Sequence, residues 1–290
     1  MSDYFEPWLQ FKNAIVRQLA FAIASPNLLR STPHELQMQH PFSWHSDQVW
    51  KQHYENYLPR LYALDLNPEP LIRFFNQLKS TRLGLRFEYL IWFWLLDKDY
   101  HPYQLLAHSL QVIEGKTTLG ELDFLIYNQE TKHTEHWEVA LKYYLAEQNT
   151  QLYHWYGLNR QDTLYRKLQH FAQQQFKFTT ALQMQIDQRF AVMKGQLFLP
   201  LFHTTHNLPV WLNTSRRLGY WGTQIFAQNH FRIARSQWLC LDNEQGQQDA
   251  VLWCDGLYYN RDTDTPYMFR QVEYQNPLLW QQFAKQSLHP

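Results

Sequence analysis

Cysteine is scarce in this chain. Its 290 residues include only two, Cys240 and Cys254; that is too few for a disulfide scaffold, and their spacing is not that of a zinc site, so two buried thiols are expected. No apolar run reaches about 18 residues without a charge, which predicts no transmembrane helix, and the opening Met1 to Glu6 is acidic rather than secretory. Charge of one sign is missing as well, since Lys plus Arg and Asp plus Glu each number 26. That neutrality argues against a general DNA coat. Internal repeats and low-complexity linkers are absent too. A soluble, cytoplasmic protein of one large or two modest domains is the consequence, with no membrane partner and with 45% hydrophobic and 17% aromatic residues to fill a core.

What is present begins with periodicity. Leu105 to Ile113, Leu119 to Tyr127 and His136 to Tyr144 are apolar, β-branched or aromatic runs with short polar connections, and they read as three neighbouring strands. Glu114-Gly115-Lys116-Thr117-Thr118 suits a hairpin and Asn128 to Thr134 a longer turn, so the expectation is an antiparallel meander. Alternation puts Glu121 and Asp123 on one face, and Glu138, Ala140 and Lys142 on one face of the next strand. Adjacent strands lie about 4.8 Å apart, close enough for facing carboxylates to share one small cation. Upstream, Arg82 to Leu96 is unbroken by Pro and nearly all apolar after Glu88, which predicts a buried helix. Gly84 lies on the Glu88 face, where a missing side chain would admit another backbone. A lone acid on such a helix is costly to bury unless something positive meets it.

The order of a helical Gly84-x-x-x-Glu88, a strand Gly120-Glu121-Leu122-Asp123 and a strand with Glu138 and Lys142 resembles the PD-(D/E)XK nuclease superfamily. Further stretches, Tyr156 to Leu164, Lys194 to Phe198 and Arg217 to Trp221, resemble the bacterial family called domain of unknown function 1853, a likeness that spans nearly the whole chain. The superfamily resemblance implies an α/β, restriction-endonuclease-like core of helix, three-stranded meander, helix and strand. It implies Glu88, Asp123 and Glu138 as ligands of Mg²⁺ or Mn²⁺, with Asp123, Glu138 and Lys142 catalytic and Glu121 in reserve. The reaction implied is metal-dependent hydrolysis of phosphodiester bonds, in DNA rather than RNA. One departure stands out. Ala140 occupies the usual lysine place, and Lys142 lies about 6.6 Å further along the same face. Two alternatives therefore stay open: a nuclease-fold protein that binds nucleic acid or a protein partner without cutting, and an RNA or small-molecule phosphodiesterase. Simpler readings also remain, in which Gly120 to Asp123 is turn chemistry and Glu138 pairs with Lys142 on a wet face.

The flanks fit around this core. Residues 1–80 read as a helical part, with helices over Trp8 to Ala24, Asp47 to Ala63 and Pro70 to Leu78 and Asp47 as an N-cap. Residues 81–201 make the nuclease-like core, with a helix over Arg160 to Phe178 and a strand over Gly195 to Leu201; residues 202–290 make a β-rich part. From Gln188 to Leu241 there are six basic residues and no acid, before an acid excess from Asp242 onward. Arg160, Arg166 and Lys167 near the helix start, with Arg216 and Arg217 in a loop that also holds Tyr220 and Trp221, are the candidate nucleic-acid contacts. Of the 14 histidines, His133 with His136 and His203 with His206 have suggestive spacing but no third ligand, so zinc is not expected.

Overall fold

Helices lead the chain. The computed structural model describes residues 4–201, 207–226, 228–240 and 253–271; His203, His206 and the acid excess that begins at Asp242 lie partly or wholly outside the described residues. A short 3₁₀ turn at Pro7–Gln10 precedes α1 (Ala14–Ala24), so the expected helix from Trp8 is interrupted. The reason is local. The Asp65 carboxylate accepts the amides of Lys12 and Asn13 at 3.0 and 2.7 Å, and Asn13 caps α1 by accepting the Ile15 amide at 3.2 Å. Next come α2 (Asp47–Leu66), α3 (Glu69–Phe75) and α4 (Leu83–Leu96). Ser46, not Asp47, is the N-cap of α2, and Asp47 sits in the first turn, where negative charge suits the helix dipole. Gly84 is exposed, and a Cβ there would meet nothing within 4 Å; the close backbone approach anticipated at this glycine does not occur.

The meander follows as β1 (Tyr103–Glu114), β2 (Thr117–Asn128) and β3 (His133–Ala146), with antiparallel pairing throughout. After β4 (Trp155–Gly157), which pairs with the end of β3, the chain crosses over through α5 (Leu164–Gln173). A two-residue ribbon, β5 (Thr180–Ala181) with β6 (Met184–Gln185), then leads to β7 (Gln188–Pro200), which runs parallel to β3. Parallel neighbours need such a crossover. The strands β8 (Gly219–Gly222), β9 (His230–Arg232), β10 (Gly256–Asn260) and β11 (Thr265–Phe269) extend the same mixed sheet. Its order is β1-β2-β3-β7-β8-β11-β10-β9, with β4 beside β3. The β-rich C-terminal residues thus continue the central sheet, and the Trp221 indole donates to the Ala146 carbonyl across it at 2.7 Å.

Each face of β3 has its own core. Trp137, Val139 and Leu141 pack with α1 to α4, around fully buried Trp50, Trp94 and Phe87. Ala140 and Tyr144 point the other way, against Leu164, Leu168 and Phe171 of α5 and residues of the 28–42 segment. At the seam between β3 and β7, Gly195 has φ of +131°, and a Cβ there would lie 2.0 Å from the Lys142 carbonyl oxygen, so only glycine fits.

The helical face also encloses a basic cluster. Lys194 is completely buried, donates to the Ser25 carbonyl at 2.5 Å and lies 3.4 Å from the centre of the Trp50 ring. His45 stacks on Phe190 at 4.0 Å, His53 bonds the Tyr103 hydroxyl at 3.1 Å, and His101 bonds the Trp94 carbonyl at 2.9 Å. Burial lowers the pKa of all three imidazoles, that of His53 to about 3, and it lowers Lys194 well below the usual lysine value.

Candidate functional site

Strands β2 and β3 pair from Asn128↔His133 as far as Phe124↔Trp137 and then part. The next facing residues are Asp123 and Glu138. Beyond the last rung, side chains replace the ladder: the Asp123 carboxylate accepts the Val139 amide at 2.8 Å, and the Asp123 amide points at Glu138 Oε1 at 3.5 Å. The β1–β2 hairpin continues as a separate arm, on which Glu121 is exposed and registered with Gln111 of β1. A wedge-shaped gap between two strands therefore holds the acid pair.

Glu138 is fully buried, and each of its two oxygens is held by a side chain. His136 Nε2 meets its Oε1 at 2.7 Å, the Gln175 amide donates to Oε2, and Lys167 Nζ in turn donates to Gln175 Oε1 at 2.9 Å. His136 is itself buried, which lowers its pKa to about 3 and keeps the ring neutral, so it holds Glu138 through a hydrogen bond and not as a cation. Burial pushes the pKa of both Asp123 and Glu138 upward, and for Asp123 the charge on Glu138 adds to the effect, followed by that of Glu88. Two carboxylates in a dry gap cannot both ionise cheaply without a cation. Lys167 supplies part of one. Burial lowers its pKa, while Glu138, Asp123 and Asp162 pull it back up.

The remaining expected site residues are arranged differently. Glu88 accepts a hydrogen bond from His108 Nε2 at 2.7 Å and from Ser109 Oγ at 3.3 Å. The partner that offsets its burial is thus a histidine, itself stacked on Trp92 at 4.0 Å. Ser109 and Glu88 meet the same imidazole nitrogen, so the three do not form a nucleophile relay, which needs the two ring nitrogens separately. Lys142 is drawn away from Glu138 to Asp162, at 2.7 Å, with the Tyr144 hydroxyl on the other Asp162 oxygen at 3.3 Å.

Among the basic candidates, Arg160 forms a two-pronged pair with Glu147 over the Tyr156 ring, and Arg166 reaches the Gln161 carbonyl from an exposed position. Arg216 and Arg217 are internal: both bind the Glu6 carboxylate, and Arg217 also holds the Asp264 carbonyl. That corrects the expectation of a contact loop at Arg216 to Trp221, because these arginines tie the N-terminal segment to the C-terminal strands. Cys240 is buried but Cys254 is exposed, so only one of the two thiols behaves as anticipated.

Sequence reasoning missed the support given by His136, Gln175 and Asp162. A signal for Lys167 was available. It lies three residues after buried Leu164 and four before buried Phe171, on the edge of the inward stripe of α5 and not on its wet face.

As they stand, no three His, Cys, Asp or Glu side chains among the described residues converge on a common metal position. The Asp123–Glu138 pair still fits Mg²⁺, which takes one or two carboxylates and keeps several waters. The upward push on both carboxyls is the electrostatic demand that a divalent cation relieves.

A family model for a domain of unknown function, DUF1853, matches residues 17–285. The chain belongs to that family. Comparison of this DUF1853 chain with curated proteins and with solved structures gave no match. Among its described residues, no helix is long and apolar enough to cross a membrane.

Proposed function

We propose that this DUF1853 protein is a divalent-metal-dependent nuclease that hydrolyses DNA phosphodiester bonds, on a restriction-endonuclease-like core. The observation that carries the reading is the parting of β2 and β3 at Phe124 and Trp137, which leaves Asp123 and Glu138 facing each other with Lys167 in their field. The succession of α4, the β1–β3 meander, α5 and a strand parallel to β3 is the one that the resemblance to PD-(D/E)XK nucleases implies. It supports the same reading.

Asp123 and Glu138 would hold Mg²⁺ or Mn²⁺, which when bound supplies charge for the phosphoryl oxygens and acidifies a water. Lys167 takes the role first given to Lys142: an ammonium beside the acid pair that offsets negative charge building on the phosphate. His136 and Gln175 fix the two Glu138 oxygens, and so the direction in which the carboxylate can offer its lone pairs. Glu88 is a second-rank ligand because His108 and Ser109 occupy its near oxygen. Lys142 and Asp162 form a closed pair that positions the start of α5, and through it Lys167. The alternative of binding without cutting draws on that pair, since it removes Lys142 from the scissile position.

The test is cleavage of single-stranded, duplex and branched DNA by purified protein with Mg²⁺ or Mn²⁺, with Mn²⁺ affinity measured in parallel. Cutting that disappears, together with Mn²⁺ binding, in Asp123→Ala and Glu138→Ala is the expected result. No cutting of any substrate with either ion, or equal cutting by both variants, overturns the proposal.

A further inference from the structure

Helix α5 turns Leu164, Leu168, Phe171 and Ala172 to the core. Its opposite face, by the spacing of three, four and seven, carries Arg166, Gln169, His170 and Gln173. Together with Lys167 and Asp162, these residues line an open surface cleft. The cleft adjoins the acid pair, because Lys167 belongs to both and reaches Glu138 through Gln175. Its described lining contains no Phe, Tyr, Trp or aliphatic side chain, and its single acid, Asp162, is already paired with Lys142 at 2.7 Å. What remains facing outward is cationic and amide.

We infer that this face of α5 is a duplex-DNA contact surface that enters the major groove, with Arg166 on a phosphate, Gln169 and Gln173 at base edges, and Lys167 at the inner rim towards the acid pair. The inference deepens the nuclease reading, on which its choice of polyanion rests, by naming the form of substrate and the element that reads it. Three observations select it. The charge is complementary to a phosphate backbone, and the cleft shares Lys167 with the proposed scissile site. An α-helix about 10–12 Å across matches a major groove about 12 Å wide, and the ten residues of α5 span about 15 Å. Glutamine carries the donor and acceptor that pair with the exposed edge of adenine, and the two amides lie one helical turn apart. Unpaired strands call for open aromatic platforms. Tyr153 and the α5 ring Tyr165 pack against each other at 4.6 Å outside the cleft lining.

The experiment is binding of a random duplex pool and of its separated strands by the full chain carrying Asp123→Ala, which cannot cut, without added metal and over a salt series. Arg166→Ala is expected to weaken duplex binding about tenfold and to lower the slope of log affinity against log salt by about one; Arg166→Lys should restore the slope. The Gln169→Ala, Gln173→Ala double variant should keep the salt slope and flatten the sequence preference of the retained pool. Duplex affinity, salt slope and base preference unchanged in all these variants, or retention of single strands in preference to duplex, overturn the inference. Cutting by the wild-type chain is scored separately, so a cutting enzyme whose α5 variants bind as wild type loses only the helix. A non-cutting chain whose duplex binding depends on α5 loses only the nuclease.

Discussion

Two ionisable clusters sit on opposite faces of the same sheet, and burial acts on them in opposite senses. On the α5 side, Asp123 and Glu138 lie where β2 and β3 separate, with Lys167 and a surface cleft beside them. On the helical side, His45, His53, His101 and Lys194 are enclosed by Trp50, Trp94, Trp137 and Tyr103. The first cluster has surplus negative charge and a half-buried Asp123; the second has surplus proton-accepting capacity and a fully buried lysine. Burial shifts both, but in opposite senses: carboxyls upward, imidazoles and amine downward. A shifted titration is therefore not by itself a mark of function. The sign of the uncompensated charge distinguishes the two.

The comparison breaks most decisively at the acid pair. Asp123→Ala or Glu138→Ala should reduce metal-dependent DNA cutting by about 10³-fold or more and abolish Mn²⁺ binding; Lys194→Met should leave both intact, as read in the same cleavage and binding assays. Next comes the choice of lysine. Lys167→Met should slow cutting about 10²-fold at saturating metal, whereas Lys142→Met should cost less than about tenfold. Single-turnover rates would separate the two, and the reverse order would return the role to Lys142.

A smaller pair of effects appears in stability. Each imidazole of the closed cluster has a folded pKa below its unfolded value of 6.5, so the folded chain refuses protons that the unfolded chain accepts. The stability each contributes is full above about pH 6.5 and is lost as pH falls through its folded pKa, about 3 for His53, with a slope up to about 1.4 kcal/mol per pH unit for each histidine. His53→Phe should flatten that acid limb in thermal melts. The acid pair has the contrary sign: its raised folded pKa gives stability that is full below the unfolded carboxyl value and lost as pH rises. Mg²⁺ should accordingly raise the melting temperature more at pH 8 than at pH 6. Equal increments at both would detach the ion from these carboxylates. Smallest of all, Gln175→Ala should weaken Mn²⁺ binding about tenfold without moving the acid limb.

The meander and α4 were legible because their signals are local: alternation over ten or so residues, a glycine in the first turn, an apolar run without proline. Asp123 and Glu138 came with them, since strand parity puts them on facing positions. The start of β7 was not legible. Gln188, Arg189, Lys194 and Gln196 interrupt the apolar pattern expected of a central strand, and the groups that compensate them are remote: the carbonyls of Phe178, Ser25 and Arg217 for the last three. The same holds for the lysine. Parity favoured Lys142, but its fate is decided by Asp162, twenty residues on, and Lys167 arrives only when α5 packs across the sheet. Arg216 and Arg217 looked free in a stretch without acids, and their counter-charge, Glu6, comes from the far end of the chain.

Gly195 lies on β7 opposite Lys142, where β3 has already passed Glu138 and turned towards β4. One methyl group inserted here would act as a wedge between two long strands that run alongside each other in the same direction. Because Glu138 of the acid pair hangs from one of those strands and the sealed lysine from the other, the damage would reach both faces at once, and the smallest side-chain change available to this protein would be among its most far-reaching.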